Sequence, residues 1–178
     1  MYQISKVHKF KELALYDITD VSDEDIILKN IELIRMGRNE GAFSYIPNMS
    51  LESVLDYRKM MKIITMCHYR VHALFNNKMD IVGFIDFGSI SEKGFIIGII
   101  VKPEYRRIGL GSLLLKSAES VLKNWGVRMI ETTIFSTNTV SKKFFARNGY
   151  FYSGIYKEHI NGCSKNGKVE EIWWKYIV

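Results

Sequence analysis

Val101-Lys102-Pro103-Glu104-Tyr105-Arg106-Arg107-Ile108-Gly109-Leu110-Gly111-Ser112 joins an apolar strand to an amphipathic helix through a basic turn with two spaced glycines. Upstream, Phe95-Ile96-Ile97-Gly98-Ile99-Ile100-Val101 is a near-continuous β-branched run. Downstream, Leu113, Leu114, Ala118, Val121, Leu122 and Trp125 recur at helical spacing. The first N–H groups of a helix lack intrahelical partners and carry the positive end of its dipole, so an anion is favoured there. Gly109 and Gly111 let the backbone approach a diphosphate with no Cβ in the way, and Arg106 and Arg107 add full charge beside it. A plain structural turn ahead of a core helix is the alternative for this stretch taken alone. A dinucleotide fingerprint fits less well. Glu131 does lie 20 residues beyond Gly111, but Leu114 occupies the third glycine position and two arginines stand where such a loop begins with glycine.

Arg106-Arg107-Ile108-Gly109-Leu110-Gly111 resembles the Arg/Gln-x-x-Gly-x-Gly/Ala element of the GNAT family of N-acetyltransferases, and Val101 to Arg106 looks like its usual lead-in. A second family element, Asn-x-x-Ala-x-x-Leu-Tyr-x-x-x-Gly-Phe, is matched in spacing by Asn138, Ser141, Phe144, Phe145, Gly149 and Tyr150, starting 32 residues after Arg106. The resemblance covers about Met66 to Val178 well and the N-terminal third in outline. It implies acetyl-coenzyme A as co-substrate, held by backbone at Ile99, Ile100 and Val101 and at Arg107–Ser112, with Arg106 adding charge, Asn138 on the pantetheine side and Phe144 packed on it. Asn138 also reads as a helix N-cap, and the two roles are compatible.

Composition sets the frame. A chain of 178 residues with 47% hydrophobic residues can bury one substantial core, and 1–178 reads as a single domain without linker, repeat or low-complexity tract. The polar N-terminus, with Lys6, His8, Lys9, Lys11 and Glu12, does not read as a signal peptide, and no apolar run approaches the ~18 residues of a membrane span. A cytoplasmic protein without membrane contact is the expectation. Cys67 and Cys163 lack the spacing of a disulfide framework or a metal site, so no metal is expected. Nine Lys and Arg face three acidic residues between Lys102 and Arg147, which accounts for the whole net charge of +6. That field suits a cofactor with three phosphates. A solvated basic face is the plain alternative for Lys116, Lys123, Lys142 and Lys143. Nucleic acid is a poorer partner, because basic residues are not interleaved with aromatics and no zinc-finger spacing occurs.

Along the chain, a strand is expected near Leu13–Ile18, a helix from the Asp20–Asp23 capping region to about Arg38 with Ile27, Ile31 and Ile34 as its stripe, and a second helix to about Lys62, with Ser50 and Ser53 as alternative caps. Met66–Phe75, Ile81–Phe87 and Phe95–Val101 read as three antiparallel strands. The Leu113–Trp125 helix, closed at Gly126, leads to a strand at Arg128–Ile134, the Asn138 helix, and a closing hairpin of Tyr150–His159 and Val169–Ile177. The class is α+β, and the family resemblance implies an α/β/α layered domain whose mostly antiparallel mixed sheet splays between two parallel strands, after Val101 and after Ile134. Pantetheine would add its amides to the strand edge of Ile99 and Val101.

Acetyl transfer to a primary amine by direct attack in a ternary complex needs a neutral nucleophile, an oxyanion donor and a proton for the leaving thiolate. The family supplies the last from the tyrosine of its Leu-Tyr pair, where this chain has Phe145, and many members carry a carboxylate base 12 residues earlier, where this chain has Thr133. Neither residue can serve. A thiol of pKa about 8.5 leaves without obligatory protonation, so the base matters more: a lysine-type amine is only about 0.04% neutral at pH 7, an α-amine roughly 10–15%. Glu131, sharing a strand face with Thr133, is the nearest carboxylate, with a salt bridge as its plain alternative. Tyr156 and His159 beyond the Gly149 turn, and Tyr45 between the first helices, are further pocket candidates. The backbone N–H of Ile99 or Ile100 is the expected oxyanion donor. The acceptor is a small-molecule or peptide amine. A non-catalytic acyl-coenzyme A binding module is the contrasting class, and the aromatic end Ile172–Tyr176 reads either as core or as an oligomer interface.

Overall fold

Ser91, held in a left-handed conformation (φ 55), interrupts a long β-branched run and folds it into a hairpin of β3 (Ile81–Ile90) and β4 (Lys93–Val101). In this computed structural model, which describes residues 12–39, 50–66, 68–156 and 170–177, that hairpin lies inside a mixed seven-stranded sheet. β1 (Ala14–Asp17) and β2 (Tyr69–Phe75) extend the sheet on one side, and β5 (Met129–Phe135), β7 (Glu170–Tyr176) and β6 (Phe151–Tyr156) on the other. The order is β1-β2-β3-β4-β5-β7-β6, and among the described strands only β4 and β5 run parallel. All but the last residue of β3 are buried, which explains a run apolar on both faces.

Among the described residues, two helices cover each face. α1 (Glu24–Asn39) starts where the Asp23 carboxylate accepts the Ile26 N–H (3.3 Å) and buries Ile27, Ile31 and Ile34. α2 (Leu51–Ile64) starts at a capping box in which Ser50 and Ser53 serve together, not as alternatives. These two pack with Tyr69, Val71, Phe84 and Ile100. On the other face α3 (Leu110–Asn124) sets Leu114, Leu115, Ala118 and Leu122 on Val82, Ile85, Phe87, Ile96 and Ile130, and α4 (Thr139–Arg147) adds Phe145. α3 begins three residues earlier than its apolar period indicates and closes as expected beside Gly126 (φ 81), whose N–H reaches the Lys123 carbonyl while that of Val127 reaches Leu122. No helix among the described residues is long and apolar enough to cross a membrane.

The sheet splits sooner than the sequence indicates. β4 and β5 pair only through Lys93–Met129, Gly94–Ile130 and Phe95–Glu131, so the gap opens from Ile96 and Thr132, not after Val101 and Ile134. A register shift explains the early parting: Phe87 pairs with Ile96 and Asp86 with Gly98, leaving Ile97 as the extra residue of a β-bulge. A bulge bends and twists its strand, and this one lies immediately past the last parallel pair. Trp173 packs toward the α3 core, while Trp174 meets Phe151 and Tyr176 edge-on, so the aromatic end is shared between core and surface.

Candidate active site

The cradle forms at the mouth of that gap. A 3-10 turn over Pro103–Tyr105 leads to Arg107 (φ 65) and Gly109 (φ 98), two left-handed residues that swing the chain into α3. Gly109 is the N-cap and offers no side-chain hydrogen bond, and the first intrahelical bond runs from the Leu113 N–H to the Gly109 carbonyl (3.0 Å). The N–H groups of Leu110, Gly111 and Ser112 therefore form an uncapped positive end. Arg107 and Ile108 stand exposed beside it. Arg106 has another task as well, because its Nε donates to the Val101 carbonyl (2.7 Å) and clips the strand end to the turn. Gly111 faces Phe144: a Cβ there would lie 3.0 Å from Phe144 Cε2. This glycine thus lets α4 approach α3 as well as leaving the cradle bare.

The strand edge is defined by hydrogen-bond parity. Lys102 donates its N–H to the Val82 carbonyl (2.8 Å). Antiparallel neighbours alternate between bonded and non-bonded pairs, so Ile100 and Gly98 also direct their backbone groups at β3, while Ile99 and Val101 turn theirs to the gap. Of the two oxyanion donors named from sequence, Ile99 is the one aimed into the gap. Ile100 is directed away by the pleat, and its side chain is buried under α1 and α2. Asn138 caps α4, its Oδ1 accepting the Ser141 N–H (3.0 Å). Phe144 is half-buried against Gly111, next to the cradle.

The acid and base positions are filled by other things. Phe145 is 3% exposed, edge-on to Phe144 and Tyr150 within the core. Thr133 is exposed on β5. Glu131 occupies the apex of the gap, where its carboxylate meets Lys93 Nζ at 2.8 Å. That is the salt bridge weighed above. Tyr156 ends β6 opposite Glu170, and its side chain lies outside the described residues, as do His159 and Tyr45. Since the Glu131 pair is partly exposed, Glu131→Gln is expected to cost at most about 1 kcal/mol and to change turnover less than about threefold. A loss of roughly 10²-fold, measured with purified protein, would instead make Glu131 the base.

One polar cluster was not read from sequence. Asp86 lies opposite Gly98, on the sheet face covered by α1 and α2, and is 5% exposed. The Tyr69 hydroxyl hydrogen-bonds its carboxylate, yet Asp86 Oδ1 has no hydrogen-bond partner among the described residues. Arg58, equally buried, donates to the Ile18 carbonyl (3.2 Å) and to Asn30 Oδ1 (3.0 Å), and Asn30 Nδ2 is likewise without a partner among those residues. Asn30, Tyr57, Arg58, Tyr69 and Asp86, together with four apolar side chains, line a cavity of about 10 Å³, room for about one water. Burial pushes the Asp86 carboxyl up to about 7, with the Arg58 charge pulling the other way. Burial also drives the Tyr69 hydroxyl well up and lowers Arg58. The available signal was a single carboxylate inside Ile81-Val82-Gly83-Phe84-Ile85-Asp86-Phe87.

A mixed sheet parted between parallel strands, with an uncapped helix N-terminus at the mouth, is the architecture of a domain that threads an anionic cofactor through its sheet. The chain belongs to the acetyltransferase (GNAT) family, which it matches over residues 45–150. The spermidine N(1)-acetyltransferase of Thermoplasma acidophilum is 30% identical over 70 residues, 39% of this chain; the match spans 44% of that relative, under half its length. The same fold occurs in the PaiA N-acetyltransferase of Thermoplasma acidophilum in complex with coenzyme A (TM-score 0.67, 20% identity, 93% of this chain and 99% of that one). It occurs also in the ribosomal-protein-S18-alanine N-acetyltransferase of Escherichia coli (TM-score 0.64, 16% identity, 93% and 94%).

Proposed function

We propose that this chain transfers the acetyl group of acetyl-coenzyme A to a primary amine by direct attack in a ternary complex. One observation carries the reading: the gap between β4 and β5 runs straight to the uncapped N-terminus of α3, with glycines at 109 and 111. The diphosphate would lie on the N–H groups of Leu110, Gly111 and Ser112 beside Arg107, and pantetheine along the Ile99 and Val101 edge, with Asn138 and Phe144 at its far side. The Ile99 N–H would receive the thioester oxygen as charge develops on it. Acetyl-coenzyme A supplies an activated carbonyl and a leaving thiol. Binding, orientation and proton removal fall to the protein. A polyamine is the favoured acceptor, because the curated relative is named for spermidine. A peptide α-amine is the second choice, favoured by its larger neutral fraction at pH 7.

Coenzyme A at millimolar concentration is expected to raise Tm, since a ligand that binds only the folded state stabilises it by mass action. Thiol release from acetyl-coenzyme A should then appear with spermidine or an α-amine peptide. An unchanged Tm refutes the cofactor assignment. Stabilisation without release for any amine replaces this reading with a non-catalytic acyl-coenzyme A binding module, which Phe145 and Thr133 at the acid and base positions would suit.

A further inference from the structure

We propose that Asp86 is the terminal proton acceptor of the transfer reaction, reached from the acceptor amine through water held in the cavity that it shares with Asn30. The inference rests on the acetyl-transfer reading and supplies the base that neither Thr133 nor Glu131 provides. Three observations carry it. Asp86 is buried with one carboxylate oxygen that has no hydrogen-bond partner among the described residues, and the Asn30 amide nitrogen lining the same cavity has none among them either, so a water there would meet a donor and an acceptor. Asp86 sits across from Gly98, one residue past the bulge that opens the gap, and Gly98 brings no side chain to that face. Glu131, the other carboxylate near the apex, is bound to Lys93.

A purely structural account fits less well. An asparagine could accept the Gly98 N–H and the Tyr69 hydroxyl equally, and it would not bury an ionisable oxygen that has no hydrogen-bond partner among the described residues. The groups facing Asp86 are Arg58 and Tyr57 from α2, Tyr69 from β2, Asn30 from α1 and Gly98 from β4, with Asp17 and Asp20 acting on Arg58 from beyond. Burial raises the carboxyl, whereas Arg58, the Tyr69 hydroxyl and the Gly98 N–H hold it down, and the balance near 7 suits a base working near neutrality. In the reaction the amine nitrogen attacks the thioester carbonyl carbon and forms the C–N bond, and the C–S bond breaks as that adduct collapses. The proton it sheds passes through water to the Asp86 carboxylate, the thiolate takes a proton from solvent, and Asp86 returns its own to solvent.

The test is kcat against pH at saturating acceptor for the wild type, Asp86→Asn and Tyr69→Phe, with coenzyme A stabilisation measured on each. The wild type should rise through a limb near pH 7 and level off above it. Asp86→Asn should lose that limb and roughly 10²-fold or more of kcat while keeping its coenzyme A stabilisation and its KM for acetyl-coenzyme A. Tyr69→Phe removes a hydrogen bond to the ionised form and should move the limb to higher pH. A limb unchanged in Asp86→Asn overturns the proposal. If Asp86→Asn does not fold, an unmoved limb in Tyr69→Phe overturns it equally. A wild type that binds coenzyme A and acetylates no amine refutes the transfer reading itself, and the acceptor role falls with it.

Discussion

Gly111→Asp is expected to abolish the thermal stabilisation that coenzyme A gives the wild-type protein. The substitution works twice: its Cβ arrives 3.0 Å from Phe144 Cε2, and its carboxylate stands among the N–H groups meant for the diphosphate. An acidic residue in the first turn of a helix is itself favourable, so the charge should leave α3 intact while excluding a second anion. With Gly111→Ala as the control for the Phe144 contact, the variant separates binding from folding. At 100 times Kd a ligand contributes about 2.7 kcal/mol, and in a domain of this size each kcal/mol moves Tm by about 2–4 °C. A shift of about 5–10 °C in the wild type should shrink to near zero in Gly111→Asp. Gly111→Ala, which asks only that the Phe144 ring yield by a few tenths of an ångström, should keep part of it. If Gly111→Asp retains the full shift, the diphosphate does not lie at this helix terminus.

The turn into α3 was legible because its signals are local. Glycine spacing, a β-branched run and a helical period are properties of neighbouring residues, and Arg107, Gly109 and Gly111 occupy the turn that those signals indicate. Caps were legible for the same reason: Asn138 does cap α4, and the two serines suggested as rival caps are halves of one box. The gap itself was misplaced. Phe95 to Val101 has one composition throughout, and the point where its pairing with β5 stops is set by a bulge against β3, a contact between strands that no local pattern announces. The choice between Ile99 and Ile100 as donor depends on the same register. Gly111 was read as room for a phosphate, and its contact with Phe144 required the packing of two helices 33 positions apart.

Asp86 was illegible for a further reason. Its surroundings come from α1, α2, β2 and β4, and each partner is unremarkable in its own segment: Asn30 on an apolar helix face, Arg58 in a charged helix, Tyr69 opening a strand. Phe145 shows the converse. The family resemblance singled it out as the place for an acid, and its sequence identity alone excluded that role; the structure adds that the ring is a core element between Phe144 and Tyr150. Phe145 thus serves packing where the resemblance places an acid, and on the proposed reading proton handling falls to groups elsewhere in the fold.

Asp86→Asn is expected to be more stable than the wild type at pH 8 and nearly equal to it at pH 4. The unfolded chain ionises this aspartate at the ordinary 3.8, and the folded chain holds it up to about 7 through burial. Between those values the native state keeps a proton that the unfolded state has released, so wild-type stability falls as pH rises from about 4 to 7 and stays lowered above that. At 1.36 kcal/mol for each pKa unit the loss is on the order of 4 kcal/mol, or about 8–16 °C in Tm. Asparagine cannot ionise and escapes it. The advantage of the variant should therefore be small at pH 4, open through the window from 4 to 7, and reach its full size above 7. Calorimetric Tm for both proteins across that range measures it directly. A gap that closes or reverses toward pH 8 would mean that Arg58 more than offsets the burial of the ionised carboxylate, making the two a native ion pair and not a strained base. A gap that opens as expected, in a variant that has lost its turnover, would identify Asp86 as a group kept for chemistry against the stability of the fold.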